Sequence, residues 1–141
     1  MTSLSSRPLV HGEAVGSVLL SQRALSLWGG IDPETGRIVD PRHDRCGETV
    51  SGRIFALPAE KGSSTGSAIL LELARTGRAP AAIIVREPAV AIAVGAIVAG
   101  ELYGRRIPVF CVDESGFAVL EDGETIRITE AGKIERTRGE P

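Results

Sequence analysis

Four hydroxyl side chains fall within the seven residues Lys61-Gly62-Ser63-Ser64-Thr65-Gly66-Ser67, spaced by two glycines. Ile69, Leu70 and Leu73 follow at helical spacing, which predicts a helix over residues 67–76 stopped by Gly77. The first turn of a helix carries backbone N–H groups without intrahelical partners and the positive end of the macrodipole. A glycine- and hydroxyl-rich loop at that place suits a carboxylate or a phosphate. The competing reading is an ordinary N-cap supplied by Ser64 or Thr65, although four hydroxyls exceed what a cap needs. Spacing excludes a Walker phosphate loop, which sets Lys and then Ser or Thr directly after its second glycine; here Ser67 follows Gly66 and Lys61 lies upstream.

The remaining candidates are weaker. Cys46 and Cys111 are too few for a disulfide framework and too far apart for cluster ligands, so each reads as a small buried residue. Asp40, His43 and Asp44 can be written as metal ligands, but without matching ligands elsewhere they read as a solvated turn. His11 has no visible partner. Asp32 and Arg37 read as hydrogen bonding within a turn. Arg86 and Glu87 end a strand where α/β units often touch ligands. Trp28 suits an interface or the core equally. Neither histidine stands in a loop before a helix, which argues against a phosphohistidine carrier.

Elements must position the loop. Apolar residues between 9 and 20, broken at Gly12 and Gly16, and a run at 24–28 predict short strands. Gly29-Gly30, Asp32-Pro33 and Thr35-Gly36 predict a structured loop ending in a strand at 37–39, followed by a polar stretch at 40–48. Strands are predicted at 49–57, 81–85 and 107–112. Helices at 67–76 and 89–100 alternate with them as a βαβαβ unit, the second a small-residue helix that reads as buried and held close to the sheet by Gly95, Ala96, Ala99 and Gly100. The tail predicts strands at 117–120, 125–129 and 133–135 around turns at 121–124 and 131–132. The expected architecture is α/β, a β-rich half wrapped around a compact βαβαβ unit, in one domain over residues 1–141 with a frayed tail at about 136–141.

Composition narrows the class. With 141 residues, 43% hydrophobic and 24% charged, the chain has the balance of a soluble globular domain. Sixteen basic against 18 acidic residues give a net charge of −2, and the basic residues are scattered, which argues against nucleic acid. The longest apolar stretch, 89–100, falls short of the roughly 20 residues a membrane span needs. Residues 1–8 are polar and lack the apolar core of a secretory signal, so the expected location is cytoplasmic.

Three blocks in order, Trp28-Gly29-Gly30-Ile31-Asp32-Pro33-Glu34-Thr35-Gly36-Arg37-Ile38, Lys61 through Ser67, and Val94-Gly95-Ala96-Ile97-Val98-Ala99-Gly100, resemble the aconitase X swivel-domain family. The resemblance covers roughly residues 9–112 and implies a swivelling β/β/α fold. It implies that Ser63, the first serine after the glycine, is the proton-abstracting base of a hydro-lyase. Backbone N–H groups from Gly62 to Gly66, and Lys61 as a cation, would stabilise its alkoxide. Ser64, Thr65 and Ser67 would orient the substrate or the base. One departure matters: the aconitase loop has Arg after its paired serines, where this chain has Thr65, so that carboxylate contact does not carry over.

No metal site is expected in this chain. The resemblance implies an iron or iron–sulfur centre, acting as Lewis acid on the departing hydroxyl, in a larger catalytic subunit, this chain being the small one. The implied substrate is a hydroxy acid. An Arg- and Ala-rich, Lys-poor composition favours cis-3-hydroxy-L-proline over the family's other substrate, mevalonate 5-phosphate. A non-catalytic anion-binding swivel module is the alternative of another class.

Overall fold

The structure, a computed structural model, describes residues 2–62 and 65–136. Strands β1 (Thr2–Ser5), β2 (Arg7–Val10) and β3 (Ala14–Leu20) open the chain, followed by a single turn, α1 (Leu27–Gly30). The expected βαβαβ unit follows as β4 (Ile54–Leu57), α2 (Gly66–Thr76), β5 (Ala82–Val85), α3 (Val90–Tyr103) and β6 (Val109–Cys111). A short helix α4 (Glu114–Ala118) and strands β7 (Thr125–Ile128) and β8 (Lys133–Arg136) complete it.

All eight strands join one sheet in the order β1-β8-β7-β3-β4-β5-β6-β2. Strands β3, β4, β5 and β6 are parallel neighbours, as crossover helices require, and the outer strands pair antiparallel. Because β1 and β2 lie at opposite ends of that order yet are joined through Ser6, the sheet is nearly closed on itself. Ser6 pins the join: its N–H and its hydroxyl both donate to the Gly132 carbonyl, at 3.0 and 2.6 Å.

Side chains alternate across the sheet with period two. Phe55 and Leu57 face a core shared with Ile69, Leu70 and Leu73 of α2 and Ile92 and Ala96 of α3. Ile54 and Ala56 face a second core with Phe117, Leu120, Ile126 and Ile134. Strand β4 is buried at every position, the pattern of a central parallel strand.

Several expectations change. The strand predicted at 117–120 is instead the end of α4 and the turn after it, because the Asp113 carboxylate accepts from the Gly116 N–H at 2.8 Å and the Ser115 hydroxyl at 3.1 Å, capping α4 and turning Phe117 and Leu120 inward together. Residues 37–39 make only single bridges, Ile38 to Ile31 and Arg37 to Thr49, since turns on both sides take up the backbone. The strand predicted at 49–57 shortens to Ile54–Leu57. Residues 2–8 of the polar start form β1 and the first half of β2.

Arg136, placed by the sequence at the start of a frayed tail, lies in β8 and is 2% exposed. Its Nε donates to Glu124 Oε1 at 2.8 Å, and its Nη2 donates to Glu124 Oε2 at 3.2 Å and to the Val119 carbonyl at 2.7 Å. Residues 137–141 lie outside the described residues. Helix α3 buries Ile92, Gly95, Ala96 and Ala99 but leaves Val90, Val94 and Ile97 exposed, so it is covered on one side only.

Candidate functional site

The segment leading into α2 is stitched to its surroundings on three sides. Leu25 and Glu60 form a parallel bridge, and the Lys61 N–H donates to the Leu25 carbonyl at 3.0 Å, fixing where the loop begins. Glu60 then reaches the start of α3, where Oε1 accepts from the Ile92 N–H at 3.0 Å and Oε2 from the Ala91 N–H at 3.2 Å. Ala89, at the N-cap position of α3, has no side-chain oxygen, so Glu60 satisfies donors that the helix leaves open. Sequence reasoning missed Glu60, because the helix it caps begins some thirty residues later.

The second side is the turn over Leu27–Gly30. Trp28 (φ −68°, ψ 117°) and Gly29 (φ 80°, ψ −12°) have the angles of a type II turn, in which the third position favours glycine. A Cβ on Gly66 would lie 3.5 Å from Leu27 Cβ, and one on Gly62 would lie 3.3 Å from Ser26 Oγ. The turn therefore runs directly beside the loop, and holds Trp28 63% exposed.

The third side is α3. A Cβ added to Gly95 would stand 2.9 Å from the Ser67 carbonyl oxygen and 3.0 Å from Ser67 Cα, so glycine is what lets α3 touch the first turn of α2. The small residue expected to bring this helix onto the sheet brings it onto its neighbouring helix instead. Gly100 contacts nothing within 4 Å of such a Cβ.

Of the residues singled out by sequence, Lys61, Gly62 and Thr65 are exposed, Ser67 is half-buried and Gly66 is buried. Ser63 and Ser64 lie outside the described residues. Thr65 takes the position before α2 with a helical backbone and no side-chain capping bond, so the simple cap reading gains nothing from it.

Beside Lys61 opens a cavity of about 540 Å³, lined by Arg23, Ala24, Asp40, Arg42, His43 and Lys61. The expectation of a solvated turn fails at His43, which is 6% exposed. Its Nδ1 accepts from the Arg45 N–H at 3.1 Å, so the neutral ring carries its proton on Nε2, which lies 2.8 Å from Ser21 Oγ. The fully buried Ser21 hydroxyl lies 3.0 Å from Asp44 Oδ1. Partial burial pushes the Asp44 carboxyl up, but hydrogen bonds, led by those from the Gln22 N–H and the Ser21 hydroxyl, hold the group below the usual aspartate value. This Ser–His–Asp set does not form a nucleophile, because the ring donates towards the hydroxyl instead of accepting its proton. It ties the end of β3 to the turn at 40–46 and makes that wall of the cavity rigid.

Asp32 and Arg37 act within their loop: Asp32 Oδ1 accepts from the Glu34 N–H at 2.9 Å and Arg37 Nη1 donates to the Gly47 carbonyl at 2.9 Å. Arg86 pairs with Glu87 at 3.5 Å at the end of β5. Both cysteines are free thiols; Cys46 is exposed, contrary to expectation, and Cys111 is half-buried. Among the described residues no three His, Cys, Asp or Glu side chains gather as a metal site. The residues present do not fit an iron centre. No helix among them is long and apolar enough to cross a membrane.

A nearly closed mixed sheet with two crossover helices on one face, and a glycine- and hydroxyl-rich loop at the N-terminus of the first, defines an α/β domain of the aconitase swivel type. The chain belongs to the aconitase X swivel domain family, which it matches over residues 3–136. It is 49% identical over 108 residues to cis-3-hydroxy-L-proline dehydratase of Pseudomonas aeruginosa, covering 77% of this chain and 19% of that protein. It is 40% identical over 119 residues to the phosphomevalonate dehydratase small subunit of Methanopyrus kandleri, covering 84% of each. The crystal structure of Thermococcus kodakaraensis aconitase X in its holo-form superimposes with a TM-score of 0.88 at 34% identity, covering 98% of this chain and all of that one. The chain thus spans about a fifth of the first relative and most of the second.

Proposed function

We propose that this chain is the small swivelling subunit of a hydro-lyase that removes water from a hydroxy acid, active only with a larger partner chain. The observation that carries this reading is the match along 84% of both this chain and the Methanopyrus kandleri phosphomevalonate dehydratase small subunit, a protein named as one part of an enzyme. Exposed apolar side chains at Trp28 and along Val90, Val94 and Ile97 support a protein partner.

In this reading Ser63 takes a proton from the substrate carbon as the hydroxyl leaves. Gly62 to Gly66 supply backbone N–H groups at the start of α2, and Lys61, Ser64, Thr65 and Ser67 orient the substrate or the base. The iron or iron–sulfur centre belongs to the partner, and no step is assigned to it through residues of this chain. The favoured substrate is cis-3-hydroxy-L-proline, supported by the higher identity to that dehydratase; the match along most of an archaeal small subunit favours mevalonate 5-phosphate as the second reading. A cytoplasmic location is part of the proposal, supported by two free thiols.

The test is to reconstitute the chain with its large partner and assay both acids. Ser63→Ala is expected to lower the dehydration rate by about 10²–10⁴-fold while the pair still assembles, and a variant pair that keeps its rate would remove Ser63 as the base.

A further inference from the structure

We infer that the cavity beside Lys61 is a built oxyanion subsite, separate from the hydroxyl loop, which receives an anionic group of the substrate through Arg23, Arg42 and Lys61. These three cations come from three different segments: the stretch after β3, the turn at 40–46 and the start of the loop before α2. Scattered in sequence, they meet only in the fold. None lies within 4 Å of a carboxylate among the described residues, whereas Arg45, Arg53, Arg75, Arg86, Arg106 and Arg136 each do.

The single carboxylate lining the cavity is engaged locally, since Asp40 Oδ1 accepts from the Arg42 N–H at 3.0 Å. Three cations against one occupied acid, in a chain of net charge −2, form a positive focus that an entering anion relieves. The walls are also held in place. Arg23 Nη1 donates to the Arg42 carbonyl at 2.7 Å, tying two of the segments together, and the buried His43 anchors the turn that carries Arg42 to Ser21. Lys61 opens the loop two residues before Ser63 in the sequence, which ties the subsite to the segment proposed to do the chemistry. Two planar guanidinium groups and one ammonium suit a carboxylate or a phosphate oxyanion.

The subsite rests on the dehydratase reading only for the identity of its ligand, so it is tested first without the partner. Amide spectra of the ¹⁵N-labelled 141-residue chain are recorded with inorganic phosphate and, separately, with acetate at constant ionic strength. Saturable shifts at Arg23, Ala24, Arg42 and Lys61 with an affinity on the order of millimolar are expected, weakened about tenfold or more in the double variant Arg23→Gln, Arg42→Gln. Saturation by phosphate alone assigns a phosphomonoester group, and saturation by acetate as well assigns a carboxylate. No saturable shift with either anion, or the same affinity in the double variant, overturns the proposal. In the reconstituted pair the double variant is expected to raise KM about tenfold, well beyond its effect on kcat, and an unchanged KM overturns the assignment to substrate. A wild-type pair that dehydrates neither acid defeats the proposed activity, while the titration still decides the subsite.

Discussion

Charge is gathered at two places in this molecule and handled in opposite ways. Near the end of the chain, Arg136 and Glu124 are both buried, two guanidinium nitrogens meet both carboxylate oxygens, and the spare donors and acceptors are taken by the Val119 carbonyl and the Glu121 N–H. At the loop end, Arg23, Arg42 and Lys61 stand open to solvent around a cavity, none of them in an ion pair with a carboxylate among the described residues. The first arrangement is structural, because the two charges are buried and bonded to each other and to neighbouring backbone. The second has one backbone contact, from Arg23 to the Arg42 carbonyl, and no ion pair among the described residues, so its charge is left for an anion. Pairing and burial therefore separate charges that hold the fold from charges left for something else.

That contrast breaks most directly at Arg136. Arg136→Met strands the buried Glu124 carboxylate, and a loss of about 3–5 kcal/mol in urea unfolding is expected. The same measurement on Arg42→Gln is expected to move by less than about 0.5 kcal/mol, and equal losses would erase the distinction. At the loop end the rigidity comes from packing, which Gly95 tests. Gly95→Ala drives a methyl group against the Ser67 backbone and is expected to cost about 1–3 kcal/mol, while Gly100→Ala, with open space around it, is neutral or stabilising.

The smallest effect concerns Asp44, whose carboxylate braces Ser21 behind the cavity wall. The Asp44 carboxyl is held below its ordinary value of 3.8, so its contribution is complete above that pH and fades as the pH falls through the lowered native value. Because the side chain is 29% exposed, the contribution is expected to stay within about 1 kcal/mol. Stability followed from pH 6 to pH 2 should fall less steeply at the acid end in Asp44→Asn than in the parent chain. An identical acid limb would show that the native structure does not depend on this charge.

The central βαβαβ unit was legible because each of its segments carries its own signal. Ile69, Leu70 and Leu73 repeat at helical spacing, Gly77 ends the helix in the left-handed conformation, and the short apolar runs mark buried strands. The start of the chain was less legible. Residues 2–8 read only as a polar segment, because no apolar run marks β1 or the first half of β2. Phe117 to Leu120 looked like a strand because four apolar residues in a row hide the cap at Asp113, which decides the helix. His43 looked solvated because its partner, Ser21, lies 22 residues away.

By itself the sequence determined the central βαβαβ elements, the position of the hydroxyl loop before α2, the family through three ordered blocks, and the lack of any close set of cluster ligands. Each of these depends on residues near one another along the chain, where spacing maps directly onto geometry. Only the tertiary structure decided that Arg136 is buried, that Glu60 caps a distant helix, that Gly95 sets the distance between α2 and α3, and that Arg23, Arg42 and Lys61 share a cavity. Those facts depend on how the sheet nearly closes, bringing together residues whose separation in sequence carries no periodic signal.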